Sequence, residues 1–277
     1  MKRLLFVGFG DIAHRTAALL PEGVEVRAVS RERGIDLDRP ETLSAVGGWA
    51  DAVLHCAPPP NAGTKDPRTA ALLARLEGGG ILPSRLVYIS TSGVYGDCGG
   101  DLVDETRPVH PQTPRAVRRV DAERQLLAWG RGHGCAIVVL RAPGIYAADR
   151  LPVDRLVKGT PVLADEEDVY TNHIHADDLA TIALAALGED APAGIYNASD
   201  DTHMKMGEYF DLVAARLGLA EPPRVSREAA AKAIPGTMLS FMGESRRLVN
   251  CKMKERLGVR LAYPTVHEGI PQKRHAA

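Results

Sequence analysis

Three short stretches of this chain combine residue types and spacings that suit chemistry. The first is Gly8-Phe9-Gly10-Asp11-Ile12-Ala13. Two glycines followed by a small residue let a strand turn tightly into a helix and bring a pyrophosphate close to bare backbone. The third small position, Ala13, packs that helix on its sheet. Gly8, Gly10, Asp11 and Ile12 are therefore candidate cofactor-binding residues, since the N–H groups of a helix start attract anions. Asp11 carries the wrong charge for a phosphate, so its side chain is expected to point away or cap the helix. The second stretch is Ser30-Arg31-Glu32-Arg33. A fold selecting NAD places an acid there, about 20 residues on, against the ribose 2′-hydroxyl. Ser30 and Arg31 instead suit a 2′-phosphate, which favours NADP, with NAD as the alternative.

The third stretch holds Arg115, Arg119 and Glu123 at four-residue spacing. On a helix Arg115 and Arg119 share a face, where like charges repel. A phosphate or carboxylate of a ligand between them would relieve this. The plainer reading pairs Glu123 with Arg119 and lets Arg115 extend into solvent. Other constellations are weaker. His173-x-His175-x-Asp177-Asp178 resembles a metal string but has no partner string, so no metal is expected. No GxSxG elbow accompanies Thr91 or Ser92. The four cysteines (56, 98, 135 and 251) form no CxxC pair, as befits buried thiols of a reducing compartment.

The elements that must position these residues alternate. Strands are expected at 3–8, 24–30, 52–57, 85–91 and 136–141. A stripe of Ile12, Ala13, Thr16, Ala17 and Leu20 marks the first helix. Asp66-Pro67 and Thr113-Pro114 open two more, each a cap residue followed by proline. Gly130 and Gly132 are expected to close the last of these. Ala57 and Pro58 end the third strand beside the expected adenine position. Such alternation implies an α/β fold, a Rossmann-type doubly wound parallel sheet. After Arg141 the rhythm changes: a strand over 170–175, a helix over 176–187, a strand over 194–199, then mostly helices. The sheet domain is assigned to 1–145 plus 170–198, and a smaller, partly helical substrate lobe to 146–169 plus 199–277.

Several segments together carry a family resemblance. Ile89-Ser90-Thr91-Ser92-Gly93-Val94-Tyr95-Gly96-Asp97 resembles the strand-end motif of the extended short-chain dehydrogenase/reductases, the NAD-dependent epimerase/dehydratase family. Leu140-Arg141-Ala142-Pro143-Gly144-Ile145-Tyr146, Asn172 to Ala180 and Gly194 to Asp200 are similar to later motifs in the same order. The resemblance implies nicotinamide near Thr91, whose hydroxyl would meet the substrate oxygen that changes charge. It also implies substrate contacts from Ser92, Arg115 and Tyr146, and a homodimer through the helix holding Arg115 to Trp129.

One departure is decisive. The family's catalytic tyrosine and lysine lie four residues apart on one helix, and the register of Glu123 places Arg115 and Arg119 at those positions. Arginine stays charged and exchanges no proton near neutrality. Arg119 remains a candidate for the ribose and for tuning a neighbour. The proton donor must be displaced, with Tyr95 beside the hydroxyl motif as first candidate and Tyr146 as second.

The 277 residues carry 34 Lys and Arg against 35 Asp and Glu, a formal net charge of −1. That balance argues against a nucleic-acid or membrane binder. The start Met1-Lys2-Arg3-Leu4-Leu5-Phe6-Val7 mimics a signal peptide, but Asp11, His14 and Arg15 interrupt it, so a cytoplasmic location is expected. The expectation is an NAD(P)-dependent oxidoreductase or epimerase-like enzyme for a small, anionic, carbonyl, hydroxyl or sugar-like substrate. The alternative is a non-catalytic NADP(H)-binding redox sensor or regulatory protein.

Overall fold

The computed structural model describes residues 1–272. Strands β1 (Arg3–Val7), β2 (Glu25–Val29), β3 (Ala52–His55), β4 (Arg85–Thr91), β5 (Ala136–Ala142) and β6 (Gly194–Asn197) form one parallel sheet. Their order is β6-β5-β4-β3-β1-β2. The chain leaves β1 first toward β2, then crosses to β3 on the other side. The carboxyl ends of β1 and β3 thus flank the point where strand order reverses, the usual ligand crevice of such sheets.

Helices α1 (Asp11–Ala18), α2 (Pro67–Glu77), α3 (Pro114–His133) and α4 (Ala176–Leu187) cover both faces. Alternation along β1 sorts the core. Leu4 and Phe6 join Ile12 and Ala13 of α1 and Leu179 and Ile182 of α4. Leu5 and Val7 face the other way, toward Leu72 of α2 and Leu126 of α3. A strand buried on both faces needs a continuous apolar run, which explains the signal-like start.

Two helix starts follow their caps. Asp66 accepts from the Arg68 N–H at 3.1 Å, and Thr113 from the Ala116 N–H at 3.2 Å. The end of α3 differs from expectation. A Cβ on Gly130 would stand 2.3 Å from Ile137 Cγ1, so this glycine admits β5 rather than ending the helix. The helix closes at Gly134, which holds φ +68°.

The strand expected over 170–175 is two short strands, Tyr170–Thr171 and His173–His175. Asn172 divides them: its Nδ2 donates to the Arg246 carbonyl and its Oδ1 accepts from the Leu248 N–H. His173–His175 pairs in parallel with Gly144–Tyr146, outside the main sheet. Beyond them, Tyr146, Leu156, Val162, Tyr209 and Phe210 share a separate apolar cluster. Among the described residues no helix is long and apolar enough to cross a membrane.

Candidate functional site

A cavity of about 580 Å³ opens at the carboxyl ends of the strands. Its floor is the turn from β1 into α1. Gly8 holds φ +84°, and a Cβ there would lie 2.7 Å from the Ala57 nitrogen, so only glycine lets β1 and the end of β3 approach this closely. Gly10 differs: nothing lies within 4 Å of where its Cβ would be. Its missing side chain leaves open space on the cavity side. Gly10 is also the N-cap of α1 and supplies no side-chain cap, so the first N–H groups of the helix remain available as donors.

Asp11 lines this floor, and its carboxylate is taken up by two arginines. Arg15 Nε donates to Oδ1 at 2.8 Å and Arg150 Nη1 to Oδ2 at 2.5 Å. Burial alone would raise the Asp11 pKa; these two hydrogen bonds outweigh it and hold the carboxyl below its ordinary value. Asp11 therefore neither caps α1 nor stands as an unpaired charge.

At the β2 end, Ser30 and Arg31 line the cavity, together with Ala57 and Pro58 just after β3, on the far side of β1. Arg68, which sequence reasoning missed, joins them. It donates to the Pro58 carbonyl at 2.9 Å and pairs with Asp38 at 2.5 Å. Its place just after the Asp66-Pro67 helix start was the available signal, because that start faces the same crevice.

At the β4 end the cavity is lined by Thr91, Arg115 and Arg119. Thr91 ends β4 half-buried, and its Oγ1 accepts from the Gly93 N–H at 3.3 Å, leaving its own proton to donate. Arg119 Nη1 donates to the Tyr88 hydroxyl and to the Ile89 carbonyl, both at 2.8 Å. Burial pushes the Tyr88 phenol up to about 12, against the pull of the Arg119 charge. Arg115, one turn earlier on α3, has a lowered pKa, through desolvation first and then the charge of Arg119.

Glu123 does not pair with Arg119. It binds Arg141 of β5 at 2.7 Å and accepts from Ser90 Oγ at 2.5 Å. Both members of the ion pair are 4% exposed. The pair ties α3 to β4 and β5 beneath the cavity.

Three residues expected at the site do not line it. Tyr95 is 1% exposed; its hydroxyl donates to Asn197 Oδ1 at 2.8 Å and its ring lies under Arg141. That position lacks the access a proton donor needs. Tyr146 is 2% exposed and donates toward the Thr265 carbonyl at 3.3 Å, inside the separate cluster. Ser92 is buried at 4% in the turn after Thr91.

The His-x-His string has structural partners. His173 stacks on Tyr209 at 4.2 Å. His175, rather than Asp177 or Asp178, is the N-cap of α4, its Nδ1 accepting from the Asp177 N–H. Asp178 accepts from the N–H groups of Ala262 and Tyr263. Among the described residues no group of three or more His, Cys, Asp or Glu could hold a metal ion.

A parallel sheet with a glycine turn at its switch point, and a Thr-Ser-Gly-Val-Tyr-Gly turn at the end of its fourth strand, define a Rossmann-type fold of the short-chain dehydrogenase/reductase class. The chain belongs to the NAD dependent epimerase/dehydratase family, whose model matches residues 13–199. A "dTDP-glucose 4,6-dehydratase" of Streptomyces niveus is 34% identical over 85 residues, covering 31% of this chain and 25% of that protein. Such alignments span less than half the length of the curated relatives they match. Among solved structures, a functionally unknown conserved protein from Silicibacter pomeroyi is 29% identical with a TM-score of 0.78, covering 97% of this chain and 96% of that one. The human epimerase family protein SDR39U1, solved with NADPH, shares the fold at 19% identity and a TM-score of 0.78, covering 96% of this chain and 97% of that one.

Proposed function

We propose that this protein binds NADP(H) in preference to NAD(H) and acts as an oxidoreductase or epimerase-like enzyme. Its substrate is a small carbonyl, hydroxyl or sugar-like molecule carrying an anionic group. One observation carries the reading: the glycine turn, the Ser30–Arg31 corner and Thr91 with two arginines line a single cavity. These residues fit a dinucleotide. Open space before Gly10 and the uncapped start of α1 suit a pyrophosphate. Arg31, with Arg68 nearby, offers guanidinium donors to a 2′-phosphate. The NADPH in the structure of the human relative lends support through the shared fold.

A bound nicotinamide supplies or accepts the hydride. The chain's own residues orient the substrate oxygen. Thr91 donates a hydrogen bond to it, and Arg119, fixed by Tyr88 and Ile89, keeps a positive charge beside it. Arg115 binds the substrate's anionic group at the cavity edge. Neither arginine moves a proton.

A second reading has an observation of its own: α3 contains no tyrosine and no lysine. A protein that senses the NADP/NADPH ratio without turnover would need neither. The test is NADPH oxidation against a panel of aldehydes, ketones and keto-sugars, each with and without a carboxylate or phosphate. The enzyme reading expects turnover that favours the anionic members and falls about 100-fold in Thr91→Ala, as for loss of an oxyanion donor. Tight NADPH binding with no turnover on any member would instead establish the sensor.

A further inference from the structure

We propose that Arg150 is a cofactor-binding residue that joins the helix start in holding the pyrophosphate, with Asp11 as the residue that positions it. The inference rests on the dinucleotide reading above and adds a contact from outside the glycine turn. Arg150 ends a 3-10 turn over Ala148–Arg150, which follows the short strand Gly144–Tyr146. That turn docks on α1 through two reciprocal ion pairs. Arg150 Nη1 donates to Asp11 Oδ2 at 2.5 Å, and Arg15 Nη2 donates to Asp149 Oδ1 at 3.2 Å. Each element contributes one acid and one base, so the register of the turn on α1 is fixed by charge.

Of these four side chains, only Asp11 and Arg150 line the cavity. Among the described residues, Asp11 is the only partner of the Arg150 guanidinium. Its Nε and Nη2 hydrogens stay available while Nη1 is held. A guanidinium presents its donors as a planar fork, so one edge can bind a carboxylate while another binds a phosphate. The N–H groups at the start of α1 lie in the same part of the cavity. An anion there is offered both the backbone donors of α1 and the free donors of Arg150. This also accounts for an acid in a phosphate turn. Asp11 is neutralised by two arginines, and its second oxygen aims one of them at the anion.

The experiment titrates the intact chain and its Arg150→Gln variant with NADH and with NADPH, following nucleotide fluorescence. The pyrophosphate is common to both nucleotides. The expected result is a loss of about tenfold in affinity for each, by the same factor, with Arg150→Lys intermediate. Near-ultraviolet circular dichroism and the melting temperature of the free variants should match the parent, because the Asp11 pair is about one-third exposed and adds little stability. Unchanged affinity for both nucleotides in folded Arg150→Gln would overturn the proposal. A loss confined to NADPH would overturn it too, by placing Arg150 at the 2′-phosphate. If the parent chain binds neither nucleotide, the dinucleotide reading itself fails and the proposal falls with it; titrating the parent first separates that failure from the others.

Discussion

Arg119 of α3 donates to the hydroxyl of Tyr88, a residue fully buried in β4, at 2.8 Å. The same nitrogen also reaches the Ile89 carbonyl. This charge is therefore fixed to the sheet one residue pair before Thr91, and does not wander on the helix surface. The arrangement keeps a cation beside the position where substrate charge would develop, and that cation exchanges no proton near neutrality.

Replacing Arg119 by methionine should leave the Tyr88 hydroxyl and the Ile89 carbonyl without this partner. The expected cost is about 1–3 kcal/mol of stability, read by urea unfolding. Arg119→Lys, which keeps the charge and one donor direction, should lose less. If Arg119→Met unfolds at the parent's midpoint, the anchoring is not significant.

Glu123 and Arg141 form a buried pair that joins α3 to β5, with Ser90 of β4 as third member. Removing one member strands the other charge. Glu123→Ala should cost about 3–5 kcal/mol, and Glu123→Gln less, since the amide still accepts from Ser90 or Arg141. Equal stabilities for the two variants in chemical denaturation would show that the charge pairing is not what holds the helix here.

The contrast between these two arginines shows what the sequence could reveal. The positions of β1, α1 and the helix starts at Asp66 and Thr113 were legible, because caps, prolines and apolar runs act over a few residues. The glycine turn, Ser30, Arg31, Thr91, Arg115 and Arg119 do line one cavity. What failed was pairing across the sheet. Glu123 was matched to Arg119 by helical spacing, yet Arg141 competes from β5, 18 residues on, and the buried site favours it. Tyr95 and Tyr146 were candidates because they sit near motifs in the chain. Their hydroxyls are committed to Asn197 and Thr265, about 100 or more positions away. Arg68 and Arg150 were missed because neither belongs to a ligand motif: Arg68 follows a helix cap that signals only a start, and Arg150 ends a 3-10 turn that carries no motif.

Asp200 predicts a pH dependence. It is 2% exposed, its Oδ1 accepts from the Thr202 N–H, and its Oδ2 has no hydrogen-bond partner among the described residues. Burial pushes its pKa up to about 7. The folded state thus holds this proton more tightly than the unfolded chain, whose aspartate titrates near 3.9. Stability from this group is full below about pH 4 and is lost as pH rises toward about 7, with a plateau above. Three pKa units correspond to about 4 kcal/mol. Asp200→Asn should remove that slope and be the more stable protein at pH 8. Buried His55 and His173, both lowered to about 3, act in the opposite direction over part of this range, so the comparison is with the variant. The same pH dependence of unfolding free energy for the parent and Asp200→Asn between pH 4.5 and 8, roughly the window of this group, would contradict the assignment.

In the function proposed above, the cavity takes a nicotinamide dinucleotide and selects the 2′-phosphorylated form through the corner after β2. Titrating the parent and Arg31→Asp with NAD, NADH, NADP and NADPH tests it most directly. The parent should bind NADP and NADPH at least about tenfold more tightly than NAD and NADH, as a charge-assisted phosphate contact allows. Arg31→Asp should lose that preference while keeping its affinity for NADH. Failure of all four nucleotides to bind the parent, or an NADPH affinity untouched by Arg31→Asp, would contradict the account.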